Sequence, residues 1–447
     1  MRFIAQVSYL LYNWCGHWNP PTLGSAPAAR TRPRPWEANV TRYVIIGGGL
    51  GGAKAAEALR ELDGSAQITL VAGERALPYE RPPLSKEFLQ GTKTLPEFTV
   101  FEASWYADNE VALRLGQFAT GLDASARVVE LSDGSSLSYD GLVLATGSRP
   151  RSLRVPGVAR PGVQTLRTIE ESQQLRDAIL TLARDGRRLV IVGSSWIALE
   201  VAASARTLGA EVSIIARGDH VLEALGPEWG ERFAALHRDH GVDLRFNAEV
   251  SSIDGEGPSG PVAGVTLRDG AALAAGHVLL AIGAEPRVEL AEHAGLALDD
   301  GVLVDAGLAS SDPAITAVGD IANAENVFLG HRLRVQHWAA ALKDPDFAAR
   351  TLVGDEAALD TIPYFFTDQY DWGLEFRGEI PAEHRFVQRG PDDACLTFWL
   401  DAGGVPRAAL NLNLWDDSEA IEALLRAQRP VDAAALADPK VPLADLA

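Results

Sequence analysis

Two short runs of small residues, 146 positions apart, are where this sequence could do chemistry. The first, Gly47-Gly-Gly49-Leu-Gly-Gly52, follows the apolar stretch Tyr43-Val-Ile-Ile46 and leads into an alanine-rich segment. The second, Gly193-Ser194-Ser195-Trp196-Ile197-Ala198, follows Arg188-Leu-Val-Ile-Val192 and keeps only the first of the three glycines. A strand, tight turn and helix in this order aim backbone N–H groups and the positive end of the helix dipole at an anion, and glycines let a pyrophosphate approach the chain. One such turn is a common feature. Two in one chain, each after an apolar strand, point to two bound dinucleotides, one at Gly47, Gly49 and Gly52, the other at Gly193 through Ile197.

The elements that must hold these turns can be read on either side of them. A helix over 52–62 leads to a strand at 67–71, and Glu74 follows at the spacing of an acid that accepts from an adenosine ribose. Strands are expected at 127–131 and 137–145, flanking the turn signal Asp133-Gly-Ser-Ser. The latter ends in Ala145-Thr146-Gly147, where the chain leaves a first domain. A second nucleotide domain then fills 156–279 as an insertion, with strands at 188–192, 211–215, 243–246 and 263–267 in the same order as the first. The chain returns at His277-Val-Leu-Leu-Ala-Ile-Gly283. It reaches Ile315-Thr-Ala-Val-Gly-Asp320, a strand that delivers a carboxylate suited to a sugar-alcohol hydroxyl. Residues 361–447 read as a smaller α+β domain, with strands near 373–377, 385–388, 395–400 and 407–414 and a helix at 418–427. The fold class is therefore α/β: two Rossmann-like nucleotide-binding domains, one inserted in the other (41–155 and 280–360 around 156–279), plus a C-terminal α+β domain.

Bulk properties narrow the function. A chain of 447 residues suggests roughly three domains of about 150 each. The net charge of −20 argues against nucleic acid, whose phosphates need clustered Lys and Arg. Arg75, Arg81, Arg332 and Arg334 could still form a local basic dock. The two cysteines, Cys15 and Cys395, are far apart, so no disulfide framework or metal site is indicated, and their scarcity suits a reducing cytoplasm. No apolar run is long enough to span a membrane. Residues 1–40 lack periodicity and read as a disordered leader or a mis-assigned start.

With these residues in hand, the chain resembles the ferredoxin reductase group of FAD-dependent pyridine nucleotide oxidoreductases, relatives of apoptosis-inducing factor, over residues 43 to about 430. The resemblance rests on Gly47–Gly52, Leu77-Pro-Tyr-Glu-Arg-Pro-Pro-Leu-Ser-Lys86, Ala145-Thr-Gly147, Gly193–Glu200, Ala317-Val-Gly-Asp320, Gln336-His-Trp338 and Tyr364-Phe-Phe-Thr-Asp-Gln-Tyr-Asp371. It implies FAD as cofactor, NADPH or NADH as hydride donor, and a small iron–sulfur ferredoxin as acceptor for an oxygenase. It implies that Lys86 lies beside the flavin and pairs with Glu200, and that Trp338 walls the reacting rings, giving Lys86, Glu200 and Trp338 as the catalytic set. FAD would also be held by Gly47, Gly49, Gly52, Glu74, Arg81, Thr146, Gly147, Asp320, Gln336 and His337. The nicotinamide nucleotide would be held by Gly193, Ser194, Ser195, Trp196, Ile197, Ala216, Arg217 and Gly283. The protein would act as a monomer or homodimer.

Three departures from the group pattern bear on function. Gln336 stands where the group usually has Glu, and the second turn lacks two glycines. At the end of strand 211–215 the NADH-specific members carry Glu, whereas this chain has Ala216 and Arg217. An acid accepts from a ribose 2′-OH and repels a 2′-phosphate, and an arginine does the reverse, so NADPH is favoured. Gly73–Tyr79 holds no cysteine, which removes the thiol routes of related enzymes. The readings left open beside ferredoxin reduction are a small-molecule acceptor of monodehydroascorbate or quinone type, and a redox sensor like apoptosis-inducing factor.

Overall fold

The computed structural model describes residues 40–257 and 259–447; the leader expected at 1–40 lies, but for Val40, outside them. Five apolar stretches pair in parallel to form the first sheet, in the order Ile315–Ala317, Gly141–Leu144, Arg42–Ile46, Gln67–Ala72, Val111–Leu115. Central strands of a parallel sheet are covered on both faces and so carry unbroken apolar runs. Tyr43, Val44, Ile45 and Ile46 are all buried, as are Leu142, Val143 and Leu144. The helix Leu50–Leu62 covers one face through Ala53, Ala55, Ala56 and Leu59 and packs on the helix Trp338–Val353.

Between the fourth and fifth of these strands in sequence, the chain builds a second parallel sheet, ordered Val242–Arg245, Glu211–Ile215, Arg188–Val192, His277–Leu280, Val163–Gln164. The C-terminal residues form a five-stranded antiparallel sheet, Tyr364–Gln369, Trp372–Gly378, Pro406–Leu412, Cys395–Leu400, Arg385–Arg389, with the helix Ser418–Ala427 packed on it through Ile421, Leu424 and Leu425. This is the α/β architecture with two Rossmann-like sheets, one interrupting the other, and an α+β tail.

Three local expectations need correction. The single strand at 137–145 is two, Ser136–Ser138 and Gly141–Leu144, in different sheets. The chain bends between them because Tyr139 is buried and the Asp140 carboxylate accepts from the Arg42 backbone N–H at 2.9 Å. The strand near 263–267 is not part of the second parallel sheet. It pairs antiparallel with Val250–Gly255 and Ala272–Ala274, neither of which was anticipated. The strand His277–Leu280 takes its place beside Leu189–Val192, so the chain leaves the second sheet only after Leu280. Strand Tyr364–Gln369 was missed as an element, its aromatic and polar residues giving no clean alternation.

Candidate functional site

Both turns are built to leave space where a phosphate would lie. Gly47 leaves its strand at φ 131° and Gly193 at φ 117°, a region that disfavours side chains. A Cβ on either would also strike a backbone carbonyl, of Ala145 or Ala281. The helices that follow, Leu50–Leu62 and Trp196–Thr207, have no side-chain cap and no acid in the first turn. The leading N–H groups of a helix have no partner inside it, so these are open to an anion. Nothing lies within 4 Å of where a Cβ on Gly49 would stand. The residues at the first turn therefore fit a dinucleotide diphosphate.

The second turn is arranged differently. Ala198 replaces the last glycine and is fully buried. The Trp196 ring turns away to pack on Phe365 at 4.5 Å and Phe233 at 6.3 Å, fastening the turn to the C-terminal sheet. The Trp196 side chain is thus engaged in packing, and only its backbone remains at the turn. Ser195 and Ile197 are exposed, Ser194 is half-buried, and Gly283 is exposed beyond strand His277–Leu280. At the end of strand Glu211–Ile215, Ala216 is buried and Arg217 is exposed, with no ion pair among the described residues.

Beside the first turn lies a chain of charged groups of which only part was anticipated. Glu74 Oε1 accepts from Arg81 Nη2 at 3.0 Å, and Glu74 Oε2 accepts from the Tyr79 hydroxyl at 2.5 Å. Arg81 also donates to the carbonyl of Arg167, whose own guanidinium donates to Asp320 Oδ2 at 2.9 Å. Ser148 Oγ donates to the same oxygen at 2.5 Å, leaving Oδ1 of Asp320 with no protein donor among the described residues. Burial, then the nearby Arg81, pull Arg167 below its usual range. Burial lowers Arg81 too, but Tyr79 and Glu74 outweigh it and leave its pKa raised. Gly147 lies beside Arg167, and Thr146 Oγ1 donates to the Arg287 carbonyl at 2.9 Å. Arg167 and Ser148 were missed because each reaches Asp320 only through the fold, across 153 and 172 positions.

Lys86 and Glu200 meet across 114 residues, Nζ to Oε1 at 3.1 Å, with both side chains 7 % exposed. Glu200 also accepts from Thr367 Oγ1 at 2.7 Å and from Ser85 Oγ. Burial alone would lower the Lys86 pKa; Glu200, then Asp368 and Glu87, overcome it and hold Lys86 charged. The Asp368 carboxyl is pushed up to about 6, first by burial, with Lys86 opposing and Glu87, Glu200 and Glu375 adding. Lys86 Nζ stands 5.4 Å from the Phe366 ring centroid, and Trp338 meets the same ring edge-on at 5.9 Å. His337 stacks on Phe365 at 4.7 Å, and burial takes its pKa down to about 4, leaving it neutral. Gln336 is exposed and turns its amide oxygen to Arg334. The structure thus brings Lys86 and Trp338 against Phe366 with Glu200 bonded to Lys86, and links Glu74 to Asp320 through Arg81 and Arg167.

The basic dock does not assemble. Arg81 pairs with Glu74, Arg332 with Glu325 at 2.6 Å and Arg334 with Asp300 at 3.0 Å. In so acidic a chain each of these arginines finds a carboxylate of its own, and of the four expected at the dock only Arg75 is exposed without an ion pair among the described residues. The sole described cysteine, Cys395, is buried in the C-terminal sheet.

Two sheets, two uncapped turns and a buried lysine–carboxylate pair define a two-dinucleotide oxidoreductase site. Residues 41–344 match the model for "Pyridine nucleotide-disulphide oxidoreductase" and 364–447 that for "Reductase C-terminal", and the chain belongs to the pyridine nucleotide-disulphide oxidoreductase family. It is 36 % identical over 404 residues to the anthranilate 1,2-dioxygenase system ferredoxin–NAD(+) reductase component of Burkholderia cepacia, covering 90 % of this chain and 98 % of that protein. It is 32 % identical over 411 residues to putidaredoxin reductase of Pseudomonas putida, covering 90 % and 96 %. Among solved structures it is similar to the reductase in a covalent putidaredoxin reductase–putidaredoxin complex, with a TM-score of 0.86, 32 % identity and coverage of 90 % and 97 %.

Proposed function

We propose that this chain passes electrons from NAD(P)H, through FAD, to a small iron–sulfur ferredoxin that serves an oxygenase. The observation that carries the reading is the buried Lys86–Glu200 pair, which joins the excursion between strands Gln67–Ala72 and Val111–Leu115 of the first sheet to the helix of the second turn. The absence of any cysteine from Gly73–Tyr79 removes a thiol acceptor, and the named relatives are reductases of ferredoxins. FAD would lie in the part built from 41–155 and 280–360, the nicotinamide nucleotide in 156–279, and 361–447 would close the site. A cytoplasmic setting follows from the same reading; among the described residues no helix is long and apolar enough to cross a membrane.

When bound, FAD takes two electrons with a hydride from the nicotinamide and releases them singly. The protein's share is binding, orientation and charge. Gly47, Gly49 and Gly52 shape the diphosphate seat, Glu74 keeps lone pairs for a ribose hydroxyl, and Asp320 keeps Oδ1 for the ribityl chain. Arg81 and Arg167 hold those two carboxylates in register, and Thr146, Gly147, Gln336 and His337 would also contact the cofactor. Lys86 holds its proton at Nζ and places a fixed positive charge where negative charge develops, while Glu200 orients it. Trp338 and Phe366 keep water out.

With purified yellow protein, cytochrome c reduction is expected to depend on added [2Fe–2S] ferredoxin. Rapid nucleotide-driven bleaching without ferredoxin stimulation would point to a small-molecule acceptor instead.

Arg217 is available to a 2′-phosphate, and Ala216 contributes no repelling acid, so NADPH is the favoured donor. The double substitution Ala216→Glu with Arg217→Ala should reverse the preference. One charge-assisted bond is worth about 1.5–3 kcal/mol, or roughly 10- to 150-fold in affinity. Unchanged NADPH kinetics in that variant would remove Arg217 from the site.

A further inference from the structure

Four polar side chains run inward to Glu200, the outermost, Tyr370, half-buried and the other three buried. Tyr370 OH is 3.4 Å from His237 Nδ1, and His237 Nε2 is 2.9 Å from Gln369 Oε1. Gln369 Nε2 is 3.1 Å from Thr367 Oγ1, which is 2.7 Å from Glu200 Oε1. His237 is 0 % exposed, and Gln369 and Thr367 1 % each.

Donor logic fixes the direction of every bond. A carboxylate only accepts, so the single hydroxyl proton of Thr367 goes to Glu200. Thr367 must then accept from the amide N–H of Gln369, which turns Gln369 Oε1 toward His237. That oxygen needs a donor, so neutral His237 carries its proton on Nε2 and accepts from Tyr370 at Nδ1. Every proton in the series therefore points toward Glu200. Aligned hydrogen bonds polarise one another and strengthen the hold on a terminal anion.

The members come from different parts of the fold. Glu200 lies on the helix of the second turn, His237 on the helix Pro227–Asp239, and Thr367 and Gln369 on strand Tyr364–Gln369 of the C-terminal sheet. We propose that Tyr370, His237, Gln369 and Thr367 form a one-way positioning relay that fixes Glu200, and through it Lys86, so that the seating of the C-terminal sheet sets the charge beside the electron-transfer site. The proposal rests on the reading of Lys86–Glu200 as the pair beside the flavin.

The charged groups facing the relay are Lys86, Glu87 and Asp368 at the Glu200 end, Glu375 beyond Asp368, and His240 and Arg206 near Tyr370 and His237. Burial, opposed by the Gln369 bond and aided by His240, takes His237 down to about 4.

Two measurements on the holoenzyme test the relay. In histidine-labelled protein, ¹⁵N NMR, assigned with His237→Phe, should show His237 neutral with the proton on Nε2 from pH 6 to 8. The Nδ1-protonated form, or a cation at pH 6, would overturn it irrespective of activity. In stopped-flow, Thr367→Val should slow flavin reduction about tenfold at unchanged FAD content and nucleotide KM, and Thr367→Ser should restore it. Adding His237→Phe to Thr367→Val should slow it no further, because the relay is already cut. No effect of Thr367→Val, failure of the serine to rescue, or independent multiplication of the two losses would each sink the relay. If Lys86→Met leaves flavin reduction intact while the NMR result stands, the reading of the pair has failed and the relay is structural only.

Discussion

Replacing Lys86 with Met is expected to destabilise the folded protein by about 3–5 kcal/mol and to abolish efficient flavin reduction. Removing one partner of a buried ion pair strands the other, and the penalty is of that size. Here the stranding is doubled, because Lys86 neutralises both Glu200 and Asp368. Glu200→Gln is therefore expected to cost less than Lys86→Met, since Asp368 still faces the ammonium, and Gln keeps one acceptor oxygen for Thr367 while its NH2 faces Ser85 Oγ, whose proton can turn to the Pro82 carbonyl. The double variant Lys86→Met with Glu200→Gln separates folding from function. It should regain part of the stability lost by Lys86→Met, because only Asp368 is left to protonate, yet it should not regain the rate. Chemical denaturation and FAD retention read the first effect and stopped-flow reduction the second. Equal cost for the two single variants, or recovery of rate in the double, would contradict this account.

Asp344→Asn is expected to stabilise the protein increasingly as pH rises from 4 to 7. Asp344 is buried on the helix Trp338–Val353 and accepts the Gly319 N–H at 3.2 Å. Burial raises its pKa to about 7; the Gly319 bond and Lys343 oppose the shift and Asp320 adds to it. The unfolded chain releases this proton near pH 4. Between these values the folded state binds more protons than the unfolded state, so stability falls as pH rises, by about 1.4 kcal/mol per unit. The wild-type penalty therefore approaches roughly 4 kcal/mol at pH 8 and vanishes near pH 4. Asparagine keeps the size and the acceptor for Gly319 without the charge. Thermal midpoints of holoenzyme at pH 5, 6, 7 and 8 should diverge by several degrees at the alkaline end. A gap that does not change with pH would mean that Asp344 is not the titrating group.

Much of the site is legible in local sequence. Gly47 and Gly193 announce strand–turn–helix units because no other residue accommodates their backbone angle beside a carbonyl. The apolar runs at 43–46 and 188–192 are central parallel strands for the same local reason, coverage on both faces. Asp320 follows directly from the strand that carries it. Where the reading slipped, two local patterns looked alike. Val262–Leu267 is as apolar as a sheet strand of the second nucleotide unit, but only its partners, Val250–Gly255 and Ala272–Ala274, show that it belongs to an antiparallel sheet. The stretch 137–145 looks continuous until Asp140 is seen to bind Arg42 across 98 positions.

The sequence by itself determined the two dinucleotide turns, the order of the sheets and the lack of a redox thiol near the first turn, because each depends on residues within one strand–turn–helix. Only the tertiary structure decided which charges are free and which are spent. It spent Arg81, Arg332 and Arg334 on carboxylates, left Arg217 open, and packed the Trp196 ring on Phe365 and Phe233. It also joined Lys86 to Glu200, Thr367 and, through Gln369, to His237. The physical reason is that hydrogen bonding and charge pairing act at about 3 Å, whatever the separation along the chain. The partners of a buried polar group are therefore set by how the sheets meet, which no local spacing encodes.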